Sequence, residues 1–232
     1  MTTRYIVYAV YVAATLVLPM AAAVTAALKI RSAKPVILGA VCFIVMQMCI
    51  RLPILQSVLP SYAWYTAFRT AHPMEYLILL ALSAGVFEEC GRYLFLKLGK
   101  SRRLSEGVSF GFGHGGIEAV LLVGLNAAAM MFRPSVIESV ALTVMLLASA
   151  ERIFAIAAHV GLSVIVLTST QKRKGAFLLL AVALHGAMDF CSAYLALRGV
   201  TPWIVECFIA VSAAVIAMIA AAVWKRRGRR SL

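Results

Sequence analysis

The chain has 232 residues, of which 63% are hydrophobic and 13% are charged, with 22 Lys and Arg against 9 Asp and Glu. A soluble domain has about 25% charged residues and roughly 45 to 50% apolar residues, so this chain lacks the surface chemistry of a soluble protein. The same shortage of polar residues excludes a disordered chain and a nucleic-acid partner, despite a net charge of +13. The composition indicates an integral membrane protein with the lipid bilayer as its surroundings.

Apolar runs long enough to cross a bilayer recur along the chain, since about 20 helical residues span a hydrocarbon core of roughly 30 Å. Strands of a membrane barrel would be about half as long and would alternate apolar and polar residues. The sequence therefore predicts an all-α, polytopic membrane helix bundle that forms one domain over residues 1–232. Its seven predicted spans are about 4–28, 35–55, 74–96, 107–131, 136–170, 176–197 and 202–224.

Lys and Arg concentrate after alternate spans, which indicates how the chain is oriented. Cytoplasmic loops collect these residues, whereas translocated loops do not. We therefore predict a multi-pass protein of the cell membrane, as in a bacterial inner membrane, with the N-terminus outside and the C-terminus in the cytoplasm. The cations assigned to the cytoplasmic side are Lys29, Arg31, Lys34, Lys97, Lys100, Arg102, Arg103, Lys172, Arg173, Lys174, Lys225, Arg226, Arg227, Arg229 and Arg230. Those assigned to the opposite side are Arg4, Arg51, Arg69, Arg133 and Arg198.

A cleaved signal peptide over residues 1–28 is the alternative for the first span. Its apolar stretch is longer than the usual core of about 7 to 15 residues, and cleavage would move every basic cluster outside. The five cysteines fall in or beside apolar spans without a CxxC pair, so we predict buried small apolar residues with no metal or redox role.

Ionisable residues within the spans are the candidates for function, because a charged group at mid-membrane costs several kcal/mol and has to face the bundle interior. Several pairs share one helix face at a spacing of four residues, as in Glu88 with Arg92 and His185 with Asp189. The candidates are Glu88, Glu89, Arg92, His114, Glu118, Glu151, Arg152, His159, His185 and Asp189.

Depth provides a second test, because residues that share a site must lie at one level of the bilayer. Glu89, His114 and His185 lie 8, 11 and 11 residues from the nearest cytoplasmic cation of their own helix, and His159 lies 13 residues away. At about 1.5 Å per residue, all four fall within a narrow band. The sequence therefore predicts that four helices bring polar groups together in the cytoplasmic half of the bilayer.

This set of residues suits amide hydrolysis, which needs a base for water, donors for the oxyanion and an acid for the leaving amine. Glu88 beside Arg92 fits the base. The histidines His114, His159 and His185 could polarise the carbonyl, donate to the oxyanion or, with a carboxylate, bind zinc or another divalent metal. The residues leave both the metal-free and the metal-dependent chemistry open.

Structural roles compete with these assignments. Arg92 could extend to the cytoplasmic headgroups, and Glu151 with Arg152 favours an interhelix pairing. His159 could be hydrogen-bonded to a neighbouring helix. The glycines of span 4 suit close helix packing, although a loosened turn there could supply oxyanion donors.

The ordered motifs EExGR, GxGHGGxEA, ER followed by a histidine, and HxxxD resemble the YhfC family of intramembrane peptidases over about residues 85–190. That resemblance implies relatives in the CAAX-protease and bacteriocin-processing group, in PrsW and in the scaffold subunit of gamma-secretase. It implies a glutamate-dependent intramembrane protease, long described as a metalloprotease. Glu88 and Glu89 would be the activating pair, with His114, His185 and Asp189 completing the catalytic set, and Arg92, Glu118 and His159 supporting it.

Two motifs depart from the CAAX-type pattern. The spacing here is EExxR where those enzymes have EExxxR, so either Glu88 or Glu89 could be the base. The last motif ends in Asp189 where Asn is common, which favours a metal. We predict an intramembrane endopeptidase that acts on a membrane-associated protein or peptide. A divalent-cation or proton-coupled transporter and an inactive binding or immunity scaffold are the alternatives.

Overall fold

The computed structural model describes residues 2–228, and these form helices and short connections with no β-strand. Arg229 and Arg230 of the C-terminal basic cluster lie outside the described residues. In chain order the helices are α1 (Thr2–Lys29), α2 (Lys34–Ser61), α3 (Ala63–Ala71), α4 (Pro73–Leu98), α5 (Leu104–Phe132), α6 (Pro134–Ser139), α7 (Leu142–Lys172), α8 (Gly175–Leu197) and α9 (Pro202–Gly228).

Six of these helices, namely α1, α2, α5, α7, α8 and α9, are long and apolar enough to cross a membrane. A seventh candidate crossing is the pair of α3 and α4, which meet at a bend of 111°. By itself α4 has 26 residues, but Glu88, Glu89 and Arg92 interrupt its apolar run. The chain is therefore a multi-pass membrane protein, and the predicted all-α bundle of about seven membrane helices is confirmed.

The predicted span 136–170 differs from the structure at its start. The chain leaves the helix at Val140 and Ala141, which have extended backbone angles, and α7 begins at Leu142. Residues 136–139 belong to the short helix α6 instead. Glu138 and Ser139 directly precede this break, so two adjacent polar residues near the start of the predicted span were the available signal.

Helix α7 is the centre of the bundle and contacts α1, α4, α5, α8 and α9. Every residue from Gly161 to Ser169 is buried, whereas the other membrane helices expose most of their surface. A helix that is apolar on all sides is one that other helices surround. The framework of the site is therefore α7 with the helices packed around it.

Glycines set the spacing of α5 against its neighbours. A Cβ added to Gly111 would lie 2.5 Å from the Cα of Val160 on α7, and one added to Gly113 would overlap the Val36 carbonyl on α2. Small residues of this kind let membrane helices approach closely. The predicted packing role is thus correct at these positions. The alternative of a loosened turn is wrong, since Leu104–Ala119 is a regular α-helix.

The prediction that all five cysteines are buried is wrong. Cys42 is fully buried, Cys191 is partly buried, and Cys49, Cys90 and Cys207 are exposed on the outside of the bundle. An apolar side chain is as well suited to lipid as to the protein interior. Hydropathy therefore could not distinguish a cysteine that faces lipid from one that faces the protein interior.

Candidate functional site

The three histidines that sequence analysis singled out surround one carboxylate oxygen. The Oε2 atom of Glu88 on α4 lies 3.0 Å from His114 Nε2 on α5. It lies 3.9 Å from His159 Nδ1 on α7 and 3.9 Å from His185 Nε2 on α8. All four side chains are at most 4% exposed. Four helices therefore meet at Glu88, at the common level that their sequence positions predict.

Glu89 points to a different set of partners from its neighbour Glu88. Its Oε1 atom lies 2.8 Å from His185 Nδ1, and its Oε2 atom lies 3.4 Å from Arg92 Nε. The side chain is fully buried. A buried carboxylate requires such partners, because an unpaired charge in a low-dielectric interior is strongly destabilising. Glu89 thus orients His185 and balances Arg92.

Arg92 is fully buried and does not extend to the headgroups, so the alternative of a headgroup contact is wrong. Its guanidinium donates to the His159 carbonyl at 2.9 Å and to Ser163 Oγ at 3.2 Å, both on α7. It also lies 3.0 Å from His159 Nδ1. An arginine only donates, so Nδ1 of His159 accepts and Nε2 carries the hydrogen.

Glu118 lies beside that ring nitrogen, since His159 Nε2 is 2.6 Å from Glu118 Oε2, within ion-pair distance. The other oxygen of Glu118 accepts a hydrogen bond of 2.9 Å from Arg152, which also donates to its neighbour Glu151. Arg152 thus joins α7 to α5, as the interhelix pairing predicted. Asp189 lies at the edge of the cluster. Its Oδ2 atom is 3.6 Å from His185 Nε2, and 35% of its side chain is exposed.

Sequence analysis missed Gln47 and Arg51 on α2. Gln47 Nε2 donates to Glu88 Oε1, and Arg51 Nη1 donates to Gln47 Oε1 at 3.0 Å. Both residues lie in the π-helical segment Ile44–Arg51, a geometry that is frequent at functional sites. Arg51, which the charge pattern assigns to the side opposite the basic loops, is buried inside the bundle and donates to the Leu80 carbonyl at 2.7 Å. Gln47 and Arg51 are four residues apart in an apolar span, and this spacing is the signal from which the sequence could have identified them.

A cavity of about 190 Å³ connects Glu88 with the end of the bundle opposite the basic loops. On α7 its lining extends from His159 back to Glu151, which is further from Lys172. On α8 it extends from His185 to Ser192, which is further from Lys174. Toward the basic loops the site is closed by fully buried apolar side chains that include Leu96, Phe110, Leu162, Ile165 and Leu167. The cavity beside Glu88 therefore extends toward the end of the bundle away from the cationic loops.

Four residues of the cluster form a group suited to a metal ion. One ligand atom from each lies within 4.8 Å of those of the others, and the members are Glu88, His114, Glu118 and His159. Two carboxylates and two imidazoles are a ligand set that zinc accepts. This group shares His114 and His159 with the predicted set of three histidines and has Glu88 and Glu118 where that set has His185.

Two observations support the chemical fit of a divalent cation. His114 Nδ1 is buried without a hydrogen-bond partner. Among residues 2–228, the site and its cavity bring together more carboxylates than guanidinium groups, which leaves negative charge for a cation or a protonated histidine to balance. The carboxylates are Glu88, Glu89, Glu118, Glu151 and Asp189, and the guanidinium groups are Arg51, Arg92 and Arg152.

The fold and this cluster define a class: a multi-pass membrane protein with Glu, His and Arg side chains converging inside its helix bundle. The family model described as YhfC intramembrane metalloprotease matches residues 14–146 and 128–209. The chain belongs to this family, so the family expected from the motifs is confirmed.

A protein of Bacillus subtilis (strain 168) described as uncharacterized membrane protein YhfC is 34% identical over 145 residues. The alignment covers 51% of this chain and 56% of the relative, so the chain matches just over half the length of that curated protein. No solved structure matches the chain.

Proposed function

We propose that this protein is an intramembrane endopeptidase that hydrolyses peptide bonds of a membrane-associated protein or peptide. The observation that carries the proposal is the environment of Glu88 Oε2, which has a histidine nitrogen from each of three different helices within 3.9 Å. A carboxylate and several imidazoles around one cavity supply the base and the hydrogen-bond donors that amide hydrolysis requires. The family description supports the same activity.

Glu88 is the base in this proposal. Glu88 lines the cavity, whereas Glu89 is engaged with Arg92 and His185 behind it. Glu88 takes a proton from water as the water oxygen bonds to the carbonyl carbon of the scissile peptide. The C–N bond then breaks, and the proton passes to the leaving amine. Gln47 holds the second oxygen of Glu88 and keeps the carboxylate directed at the cavity.

His185 is the donor to the oxyanion. Its Nδ1 atom contacts Glu89, and its Nε2 atom faces the cavity near Asp189. In the protonated form, the ring donates to Glu89 through Nδ1 and presents the Nε2 hydrogen to the substrate. Fixed donors aimed at a developing negative charge contribute strongly in a site from which water is excluded. Asp189 and Glu89 keep the ring in this orientation.

The residues that would hold a divalent metal are Glu88, His114, Glu118 and His159. Such a metal, when bound, supplies Lewis acidity toward the peptide carbonyl and the attacking water. In the structure His159 Nδ1 accepts from Arg92 and Nε2 carries the hydrogen toward Glu118, so His159 would ligate a metal through Nδ1 only after giving up its contact with Arg92.

The test is cleavage of a membrane-associated reporter peptide by the purified protein in lipid. Glu88→Gln removes the base with almost no change in shape, and we expect cleavage to fall at least about 100-fold, in line with the loss of a general base. Glu75→Gln is the matched control on the same helix, since Glu75 is exposed and pairs only loosely with His72 at 3.7 Å. Unchanged cleavage by Glu88→Gln would refute the assignment. Cation-dependent uptake into proteoliposomes that survives this change would support a transporter instead.

A further inference from the structure

A second cavity lies at the basic end of the bundle, away from Glu88, where the α4–α5 loop meets the C-terminus of α7. Its volume is about 410 Å³. Four of its lining residues are cations, and none of the lining residues within the described part of the chain is acidic. The cations are Lys97, Lys100, Arg102 and Arg173. A cavity lined in this way favours an anion.

The two chain segments that form this basic cavity are fixed to each other by hydrogen bonds. Gln171 Nε2 at the end of α7 donates to the Arg102 carbonyl at 2.8 Å. Ser169 Oγ donates to the Lys174 carbonyl at 2.9 Å, which holds the turn into α8. Ser101 is buried at the cavity floor. The cations therefore extend from a backbone that is already in place.

Two of these cations occupy backbone positions that favour glycine. Lys100 has φ 56° and Arg173 has φ 51°, both in the left-handed region just beyond a helix. Glycine is the usual residue there because a Cβ is unfavourable in that conformation.

We propose that the basic cavity binds the phosphate headgroup of an anionic phospholipid. Lysine and arginine both bind phosphate oxygens, and basic pockets between membrane helices are suited to such headgroups. Leu98 and Leu104 flank the cavity in sequence and are 66% and 40% exposed, so the acyl chains have an apolar surface beside the charge. This site is separate from the proposed peptidase site, and its role does not depend on it.

Native mass spectrometry of the purified full chain tests the proposal. The probes are phosphatidylglycerol, phosphatidylcholine with the same acyl chains, and inorganic phosphate. Lys100→Asn and Arg173→Asn each remove one charge while keeping a residue that tolerates the left-handed conformation. We expect each to weaken phosphatidylglycerol binding roughly fivefold, the effect of one cation at a membrane surface.

Arg31→Asn is the matched control, because Arg31 is also a left-handed cation, with φ 53°, and does not line the cavity. We expect it to leave phosphatidylglycerol binding within about twofold, since its charge is outside the site. Equal losses in all three variants would attribute binding to general surface charge and overturn the proposal. Tight binding of phosphatidylcholine, or of inorganic phosphate in competition with the lipid, would also overturn it. Thermal unfolding of each variant verifies that the fold is retained.

Discussion

The two halves of α7 differ in what they face. The half from Leu142 to His159 presents Glu151, Arg152 and His159 to the cavity. The half that follows is buried without interruption from Gly161 to Ser169 and packs in the apolar core. Both halves belong to one continuous helix, Leu142–Lys172. One end of the bundle therefore contains a cavity lined by ionisable groups, while the part toward the basic loops is a packed apolar seal.

Arg92 joins the two halves, because it binds His159 at the end of the polar half and Ser163 in the seal. The largest effect is therefore expected from Arg92→Ala. The change leaves Glu89 buried without its cationic partner, and breaking a buried ion pair in this way costs about 3 to 5 kcal/mol. Thermal unfolding in detergent measures the loss.

Arg69→Ala is the control for this change. Arg69 is exposed on α3 and lies 5.7 Å from the Tyr76 ring centroid. An exposed contact of this kind contributes about 1 kcal/mol at most. Similar unfolding temperatures for the two variants would mean that Arg92 does not join the polar half to the seal.

Metal content distinguishes two of the histidines around Glu88. His114 belongs to the four-residue metal group, and His185 does not. We expect His114→Ala to lower metal affinity by at least about tenfold, because it removes a ligand. His185→Ala should retain the metal. Elemental analysis of the purified variants measures this difference, and loss of metal from His185→Ala as well as from His114→Ala would restore the set of three histidines.

We also expect a difference, smaller than those above, in how fast a water-soluble reagent reaches the cavity and the seal of the bundle. Ser192 lines the cavity, and Ser169 is fully buried in the seal. In a background without native cysteines, we expect a water-soluble thiol reagent to modify Ser192→Cys at least about tenfold faster than Ser169→Cys, since buried positions react only after local opening. Equal rates, measured by mass spectrometry, would mean that the seal is open to water.

Much of the site could be predicted from sequence, because the membrane limits where charges are tolerated. Glu88, His114, His159 and His185 each lie inside an apolar span, at a similar distance from a basic flank. The cost of a charge in lipid explains why these groups face inward. Their partners could not be predicted, because adjacent residues such as Glu88 and Glu89 differ only in helix rotation.

Other features left no trace in hydropathy. Arg51 lies near the end of a predicted span, where an arginine at the lipid surface and one bound to Gln47 look alike in sequence. The exposed Cys90 faces out of the same helix whose next residue but one, Arg92, is fully buried. Each of these depends on tertiary contacts, which the composition of a single span does not contain.

The most direct measurement compares Glu88→Gln with Glu89→Gln in reporter cleavage and thermal unfolding. Glu88 lines the cavity, and Glu89 is bound to Arg92 behind it. We expect Glu88→Gln to abolish cleavage with the unfolding temperature largely retained. Glu89→Gln should lower the unfolding temperature while the folded fraction keeps measurable cleavage. Full cleavage by Glu88→Gln, together with none by a folded Glu89→Gln, would contradict Glu88 as the base.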